Sequence, residues 1–344
     1  MSWKRLVFQL SVAVVAVLSA AQLASSYSIS KKLSSKFSAS PLNHESLVKS
    51  GEISSSNIGE TGGSSGYGAF NSPVTLPFPQ WLTDFTGLKE WPGLDPPYIP
   101  LDFVDFSKVP NHIRQHAQGQ CEDPVLRDLS SCSFDCFNCV ASDDAYTCPK
   151  LSQTFDDGPT PATLKLIDNL RQPSTFFTLG VQIIRFPEVY RQSVAKGHIM
   201  GSHTWSHKFL PSLTNEQIVA QLEWSIWAMN ATSGHLPKWF RPPYGGIDNR
   251  VRQIVRQFGM QSVLWDFDTF DWKMLDSSQS RKEQDIYTDL KKFQFTNGGK
   301  GLMLEHDAIM RTVNVGIEIN QRLLGDQLTV PQCVGGIDYI KRFA

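Results

Sequence analysis

Two adjacent carboxylates, Asp156 and Asp157, stand where a short apolar-flanked segment meets a glycine and a proline. Side by side, two carboxylates repel each other, and this repulsion raises the pKa of one of them unless a cation or hydrogen-bond donors compensate. The pair therefore predicts a metal ion, an arginine or both in its surroundings, and the rest of the chain offers candidates for each.

Two histidines further along the chain could bind such a metal. His203 and His207 are four residues apart, which in a helical turn places both imidazoles on one side, a common spacing for a divalent metal. This spacing alone is weak, because such pairs more often cap or pack. With an aspartate as third ligand, the residues predict a site of two histidines and one carboxylate that leaves positions open for water and substrate.

Two more polar groups indicate charge pairing and proton transfer. Arg241 begins a loop of prolines and glycines whose rigid backbone can direct amide groups into a pocket, while the arginine itself can pair with a carboxylate. His306 ends a predicted strand, and an aspartate partner would keep its imidazole charged and ready to donate a proton. Taken singly, the loop would be a structural turn and the histidine a structural residue.

Alternating strand and helix patterns after Lys150 supply the framework that positions these groups. About seven alternations over roughly 195 residues predict parallel strands wrapped by helices, in a barrel or an open doubly wound sheet. The first strand is not followed by the glycine fingerprint of a dinucleotide-binding sheet, so a barrel is favoured, with its reactive loops at the carboxyl ends of the strands. The first strand pattern ends at Phe155, and the later strand patterns cover 174–179, 198–201, 238–240, 261–267 and 301–304. The helix patterns cover 161–170, 187–196, 214–229, 247–258, 282–293 and 313–324.

Five short motifs follow one another in this region: T-F-D-D-G-P, H-T-W-S-H, R-P-P-Y, D-T-F-D-W and L-E-H. Together they resemble the ordered motifs of the polysaccharide deacetylases, the carbohydrate esterase family 4 or NodB-homology enzymes. This resemblance implies a distorted (β/α) barrel of about seven parallel strands. The segment W-P-G-L-D-P-P-Y at 91–98, a cysteine cluster and W-S-I-W at 224–227 also resemble the chitin deacetylases of yeast spore walls.

The resemblance implies a role for each group named so far. Asp157, His203 and His207 would bind Zn²⁺, or another divalent metal such as Co²⁺. Asp156 would be the general base that takes a proton from the attacking water, and His306 would protonate the departing sugar amine.

Further residues would support these groups by the same resemblance. Arg241 would hold Asp156 ionised, and Asp271 would orient His306 and keep it protonated. The backbone N–H of Tyr244 would stabilise the oxyanion. Leu304 and Trp272 would line an apolar pocket for the acetyl methyl group. Glu305 is left out of the site, because neighbouring side chains of a strand face opposite sides.

The chain divides into four predicted regions. Residues 1–26 have the basic start, apolar stretch and small residues of a secretory signal peptide, which is favoured over a membrane anchor because the apolar stretch is short. Residues 27–75 form a Ser/Gly-rich disordered linker. An irregular arm rich in proline, aromatic residues and cysteine spans 76–148 and packs on the catalytic domain at 149–344.

Six cysteines, an even number, indicate an exported and oxidised protein. A zinc knuckle at Cys132, Cys136 and Cys139 is the less favoured alternative to disulfides in that compartment. Connectivity cannot be read from the sequence, and our hypothesis pairs Cys148 with Cys333, because the first strand of a closed barrel lies beside its last element. Asn230 begins the one acceptable glycosylation sequon.

A formal net charge of −1 gives no global attraction to nucleic acid or to an anionic membrane surface, so a neutral polymer fits better. The resemblance implies a metal-dependent enzyme of the fungal cell or spore wall, which converts N-acetylglucosamine units of chitin into glucosamine and acetate. The signal peptide independently predicts export, and we expect a monomer. The alternatives are a noncatalytic wall protein that binds glycan and a deacetylase of another polysaccharide. A serine acyl hydrolase is disfavoured, since none of the predicted turns from a strand to a helix has the Gly-x-Ser-x-Gly sequence of a nucleophile elbow.

Overall fold

The structure is a computed structural model that describes residues 75–343, except positions 277 and 279. The predicted signal peptide at 1–26 and all but the last residue of the predicted linker at 27–75 lie outside these residues. Within the described part, no helix has both the length and the apolar character needed to cross a lipid bilayer.

The centre of the fold is a seven-stranded parallel sheet that curls into a half-barrel, which confirms the predicted fold class. Its strands lie in the order β6-β5-β3-β2-β1-β8-β7, and β4 and β9 form a separate antiparallel pair. The strands are β1 Ser152–Asp156, β2 Thr175–Thr178, β3 Ile199–Ser202, β4 His235–Pro237, β5 Trp239–Phe240, β6 Gln261–Ser262, β7 Phe267–Asp268, β8 Leu302–His306 and β9 Tyr339–Arg342.

Helices connect these strands and pack on the sheet. The helices are α1 Gln80–Thr86, α2 Phe134–Phe137, α3 Pro161–Asn169, α4 Gly180–Arg185, α5 Pro187–Ala195, α6 Asn215–Ser233, α7 Asn249–Gln257, α8 Glu283–Thr296, α9 Met310–Glu318 and α10 Val330–Val334. Short 3₁₀ turns cover Phe106–Lys108, Pro124–Arg127, Leu210–Ser212, Pro243–Gly245 and Asp271–Leu275, and a π turn covers Ile319–Leu323.

The longest helix, α6, has clear start and stop signals. The Thr214 side chain accepts a hydrogen bond from the backbone N–H of Gln217, and the Gln217 side chain accepts one from the backbone N–H of Thr214, as in a capping box. The helix ends at Gly234, whose φ of 59° lies in the left-handed region that favours glycine. It therefore runs four residues past the predicted end at Met229.

Parallel pairing brings the sequence motifs to one edge of the sheet. Asp156 at the end of β1 is paired in register with His306 at the end of β8. On the other side, β3 pairs with β5 at Ser202 and Phe240, the residues that precede His203 and Arg241. Since all these strands run in the same direction, their carboxyl ends present the reactive groups together.

The predicted single strand at 261–267 is wrong. The structure has two short strands there, and β6 and β7 lie at opposite edges of the sheet. Between them, the backbone N–H of Leu264 donates to the carbonyl of Ala145, and Ala145 donates to Ser262. The arm thus provides hydrogen-bond partners for backbone groups where the chain passes from β6 at one edge of the sheet to β7 at the other.

The arm is mostly irregular, as expected, although it contains the short helix α1. Pro79 precedes the helix instead of interrupting it, and Gly87 with a φ of 75° ends it. The arm contains two disulfides, Cys121–Cys136 and Cys132–Cys139. A third, Cys148–Cys333, joins the end of the arm to α10 and is the pair that we hypothesised.

Candidate metal and catalytic site

Three side chains converge at the carboxyl ends of β1 and β3. The Nε2 atoms of His207 and His203 lie 3.2 and 3.5 Å from Oδ1 of Asp157. All three residues are buried, and their ligand atoms lie within 4.8 Å of one another. Asp157 reaches this position because its φ of 81° turns the chain away from the strand direction.

The spacing of the two histidines predicts that they lie on a helical turn, and this prediction is wrong. Residues 204–206 form a turn in which Thr204 has a φ of 72°, and His207 has a φ of 61°. The backbone N–H of His207 donates to the hydroxyl of Thr204, 3.1 Å away. A non-helical turn therefore brings the two imidazoles together, with ring centroids 4.9 Å apart.

These residues fit a divalent cation. Oδ1 of Asp157 is buried and has no hydrogen-bond donor among the described residues, although two imidazole nitrogens face it. Nδ1 of His203 lies 2.7 Å from the carbonyl of Arg241, so this nitrogen carries the proton and Nε2 keeps its lone pair. An aspartate with two histidines is a common donor set for Zn²⁺ and similar metals.

Asp156 faces a different partner. Its Oδ1 accepts a hydrogen bond from Nη1 of Arg241 at 2.9 Å, and the same nitrogen donates to the hydroxyl of Thr154 at 2.6 Å. The buried guanidinium also lies over the ring of Phe177, 4.2 Å from its centroid. Burial raises the pKa of Asp156 above its ordinary value, while the charge of Arg241 opposes this shift without cancelling it.

His306 and Asp271 form a close pair beside these groups. Nδ1 of His306 donates to Oδ1 of Asp271 at 2.6 Å, and the backbone N–H of His306 donates to Oδ2 at 2.9 Å. Burial disfavours the charged imidazole, but the charge and hydrogen bond of Asp271 outweigh it and raise the pKa of His306 to about 10. The carboxylates Asp157 and Asp156 add to this rise, so the imidazole is protonated at neutral pH.

The three predicted substrate contacts lie on the same edge. Tyr244 has a φ of 60° in the Pro243–Gly245 turn, and its ring centroid is 4.5 Å from that of His207. Leu304 is buried in β8 and pairs with Asp268 of β7. Trp272 follows Asp271 directly and packs against Phe270, 6.3 Å between centroids.

Glu305, which we left out of the site, lies elsewhere. Its Oε2 accepts a hydrogen bond from Nε2 of Gln153 at 2.7 Å, and the same amide donates to the carbonyl of Gly316 in α9. Glu305 therefore lies on the helix-covered side of the sheet.

Asp307 is a residue whose position the sequence analysis missed. Its Oδ1 accepts from the backbone N–H of Gly158 at 2.9 Å, and its Oδ2 accepts from the hydroxyl of Thr163 at 2.6 Å. A Cβ at Gly158 would collide with this carboxylate. Its place directly after His306, at a strand end, could have marked Asp307 as a residue near the site. The local sequence does not indicate that its side chain reaches the turn after Asp157.

The arm holds the histidine turn from outside, a contact that the sequence analysis also missed. The indole N–H of Trp205 donates to the carbonyl of Gly93 at 2.7 Å, and the hydroxyl of Ser206 donates to the carbonyl of Leu94 at 2.5 Å. The ring of Trp91 stacks on that of Trp205, with centroids 6.1 Å apart. Two of the three residues between the histidines, Trp205 and Ser206, are thus held by the segment at 91–98.

Known proteins resemble this chain over most of its length. A family model described as polysaccharide deacetylase matches residues 143–263. Chitin deacetylase 2 of Saccharomyces cerevisiae is 60% identical over 267 residues, which make up 78% of this chain and 84% of that protein. Chitin deacetylase 1 of the same yeast is 54% identical over 270 residues, 78% of this chain and 88% of the relative. Among solved structures, the chitin deacetylase from Colletotrichum lindemuthianum is 23% identical with a TM-score of 0.48, over 56% of this chain and 92% of that one.

The matched segment contains both the three converging ligands and the pair of Asp156 and Arg241. Given this overlap, and 60% identity to a relative of which the chain covers 84%, the chain belongs to the polysaccharide deacetylase family.

Proposed function

We propose that this protein is a chitin deacetylase, a metal-dependent hydrolase that removes the acetyl group from N-acetylglucosamine units of chitin and yields chitosan and acetate. The convergence of Asp157, His203 and His207 beside a buried carboxylate and a charged imidazole carries this proposal. Chitin is the proposed substrate because the relatives at 60% and 54% identity are named chitin deacetylases. Zn²⁺ is the proposed metal, and Co²⁺ is the alternative.

The reaction needs a base on one side of the acetamide and an acid on the other. A divalent cation held by Asp157, His203 and His207 would polarise the acetamide carbonyl and lower the pKa of water. Asp156 takes a proton from the water that attacks the carbonyl carbon, and its pKa, raised by burial, makes it a stronger base. Arg241 fixes the position of Asp156 through Oδ1, which leaves Oδ2 for the proton.

Collapse of the tetrahedral adduct breaks the bond between the carbonyl carbon and the sugar nitrogen. His306 is protonated and gives its proton to this nitrogen, so that an amine leaves and acetate remains. Asp271 holds Nδ1 of His306, so Nε2 is the atom that donates. The backbone N–H of Tyr244 is assigned to the oxyanion, and Leu304 with Trp272 to the acetyl methyl group.

Outside the site, the proposal follows the predicted domain order. A signal peptide at 1–26 exports the chain, a linker covers 27–75, and the arm at 76–148 packs on the catalytic domain at 149–344. All six cysteines are paired in disulfides, which fits an oxidising compartment. We assign the protein to the fungal cell wall or spore wall, as a monomer with a glycan at Asn230.

Removal of the metal tests the function. Acetate release from chitin oligomers should fall by at least about 100-fold after dialysis against a chelator and return when Zn²⁺ or Co²⁺ is added back. A parallel panel with xylan and peptidoglycan should release little acetate. Full activity of the stripped protein, or a preference for another polysaccharide, would contradict the proposal.

A further inference from the structure

A cavity lies at the end of the sheet opposite the candidate site. Leu236, Pro237 and Gly259, which line it, come shortly before β5 and β6, whereas the catalytic groups follow the other ends of the strands. Its volume of about 490 Å³ lies within the range of roughly 300–1,000 Å³ for pockets that hold small ligands. None of the catalytic or metal-binding groups lines this cavity.

Aromatic side chains from the arm, α6 and the end of α7 dominate its wall. They are Trp81, Phe103, Trp227 and Phe258. Trp81 and Phe103 are 41% and 56% exposed, although aromatic side chains of this size are usually covered. Phe103 stands edge-on to Phe258, 5.4 Å between centroids. Such flat apolar faces match the C–H face of a sugar ring.

A buried polar group lies among these rings. Glu223 lines the cavity and is 1% exposed. Its Oε1 accepts the backbone N–H of Ile99 at 2.9 Å, whereas its Oε2 has no hydrogen-bond partner among the described residues. An unpaired buried oxygen is costly, so a ligand that offers a hydroxyl or amide N–H would be stabilised here.

The sequon asparagine lies in the same wall. Glu223, Trp227 and Asn230 occupy positions i, i+4 and i+7 of α6 and therefore share one face of the helix. A glycan on Asn230 thus starts at the edge of the cavity. A tether this short gives its first sugar an effective concentration of the millimolar order, which a free sugar does not have.

We propose that an N-linked glycan on Asn230 places its first N-acetylglucosamine in this cavity, against the aromatic rings and near Glu223. The glycan covers apolar surface where the arm meets α6 and so stabilises the folded protein. The occupant is the protein's own glycan, and the cavity does not serve as a second site for chitin.

Thermal unfolding of differently glycosylated forms tests this assignment. The full chain is produced in a glycosylating host, and mass spectrometry of the peptide with Asn230 establishes its modification. Asn230→Gln should lower Tm by about 2–4 °C, the shift expected when a domain of this size loses one modest interaction. Protein trimmed by an endoglycosidase that leaves one N-acetylglucosamine should keep the Tm of the untrimmed form.

A double-mutant cycle locates the sugar. Phe103→Ala should lower Tm more in the glycosylated protein than in the Asn230→Gln background, because the ring contacts the sugar only in the former. Phe295→Ala is the matched control, since Phe295 is 90% exposed and does not line the cavity, and its effect should be equal in both backgrounds.

Three results would overturn the proposal. Asn230 could be found unmodified, the trimmed protein could melt like Asn230→Gln, or Phe103→Ala could have the same effect in both backgrounds. Acetate release should be equal in all these forms, so a negative result here leaves the proposed function untouched.

Discussion

Asp156 and Asp157 are neighbours in the chain, yet their side chains serve different partners. Asp156 ends β1 and pairs with Arg241, whereas Asp157 turns through a φ of 81° toward two imidazoles. Successive side chains of a strand diverge, and the left-handed residue at its end directs the second carboxylate to the histidines. The electrostatic conflict between the two adjacent carboxylates is therefore relieved at Asp156 by Arg241, and at Asp157 it would be relieved by the divalent cation that its site fits.

The pair of His306 and Asp271 predicts a change in pH dependence. Asp271 raises the pKa of His306 to about 10, so the imidazole stays protonated as pH rises through neutrality. Asp271→Asn removes the raising charge, and the pKa of His306 should fall. The alkaline limb of kcat for acetate release should then move to lower pH, with less effect on KM. An unchanged alkaline limb would show that His306 is not the proton donor.

Asp307 predicts an effect on metal binding without touching the metal ligands. Asp307→Ala removes both acceptors that hold Gly158 and Thr163 and should weaken Zn²⁺ affinity on the order of 10-fold, because the turn after Asp157 loses its anchor. Asp307→Asn keeps one acceptor and serves as the matched control, with a smaller loss. Competition with a chromogenic chelator measures the Zn²⁺ affinity of both variants. Equal Zn²⁺ affinity of Asp307→Ala and wild type would contradict this role.

At the scale of elements, the arm segment at 91–98 supports the histidine turn. Trp91 stacks on Trp205, and its indole N–H donates to the carbonyl of Leu76 at 2.8 Å. Trp91→Ala should lower the free energy of unfolding by about 2–3 kcal/mol and weaken metal affinity as well. Phe295→Ala, at an exposed aromatic position of α8, should change neither. Urea titration and metal competition check this, and a loss of stability with intact metal affinity would separate the arm from the site.

The site could be predicted from the sequence where its residues follow strand ends. Parallel pairing of β1 with β8 is enough to bring Asp156 and His306 together, and alternating patterns indicate such a sheet. The contacts between the arm and the histidine turn could not be predicted in this way. Trp205 and Gly93 are separated by 112 residues, and no local periodicity reports a contact between an irregular segment and a turn.

The two-residue strands β6 and β7 also could not be predicted from local sequence patterns. The strand pattern at 261–267 is continuous in sequence, but the segment divides between the two edges of the half-barrel, and Ser262 and Leu264 pair with Ala145 of the arm. A local pattern shows which residues are buried, and only the tertiary structure shows which neighbour buries them.

At the scale of the whole molecule, the Cys148–Cys333 disulfide closes the fold by joining residues 185 positions apart. Loop-closure entropy grows with loop length, so loss of this bond should cost about 5 kcal/mol of stability. The control is the Cys132–Cys139 disulfide, which closes only 7 residues and should cost about 2 kcal/mol. Denaturant unfolding of the two double serine variants compares them, and an equal or larger loss for the short loop would contradict the prediction.

The central claim is that Asp156 and Asp157 have separate roles, base and metal ligand. The most direct test is acetate release from chitin oligomers by Asp156→Asn and His203→Ala, each with its bound Zn²⁺ quantified in the same sample. The account predicts that Asp156→Asn retains its metal and loses activity by about 100-fold or more, whereas His203→Ala loses both. Substantial acetate release by metal-loaded Asp156→Asn would contradict it.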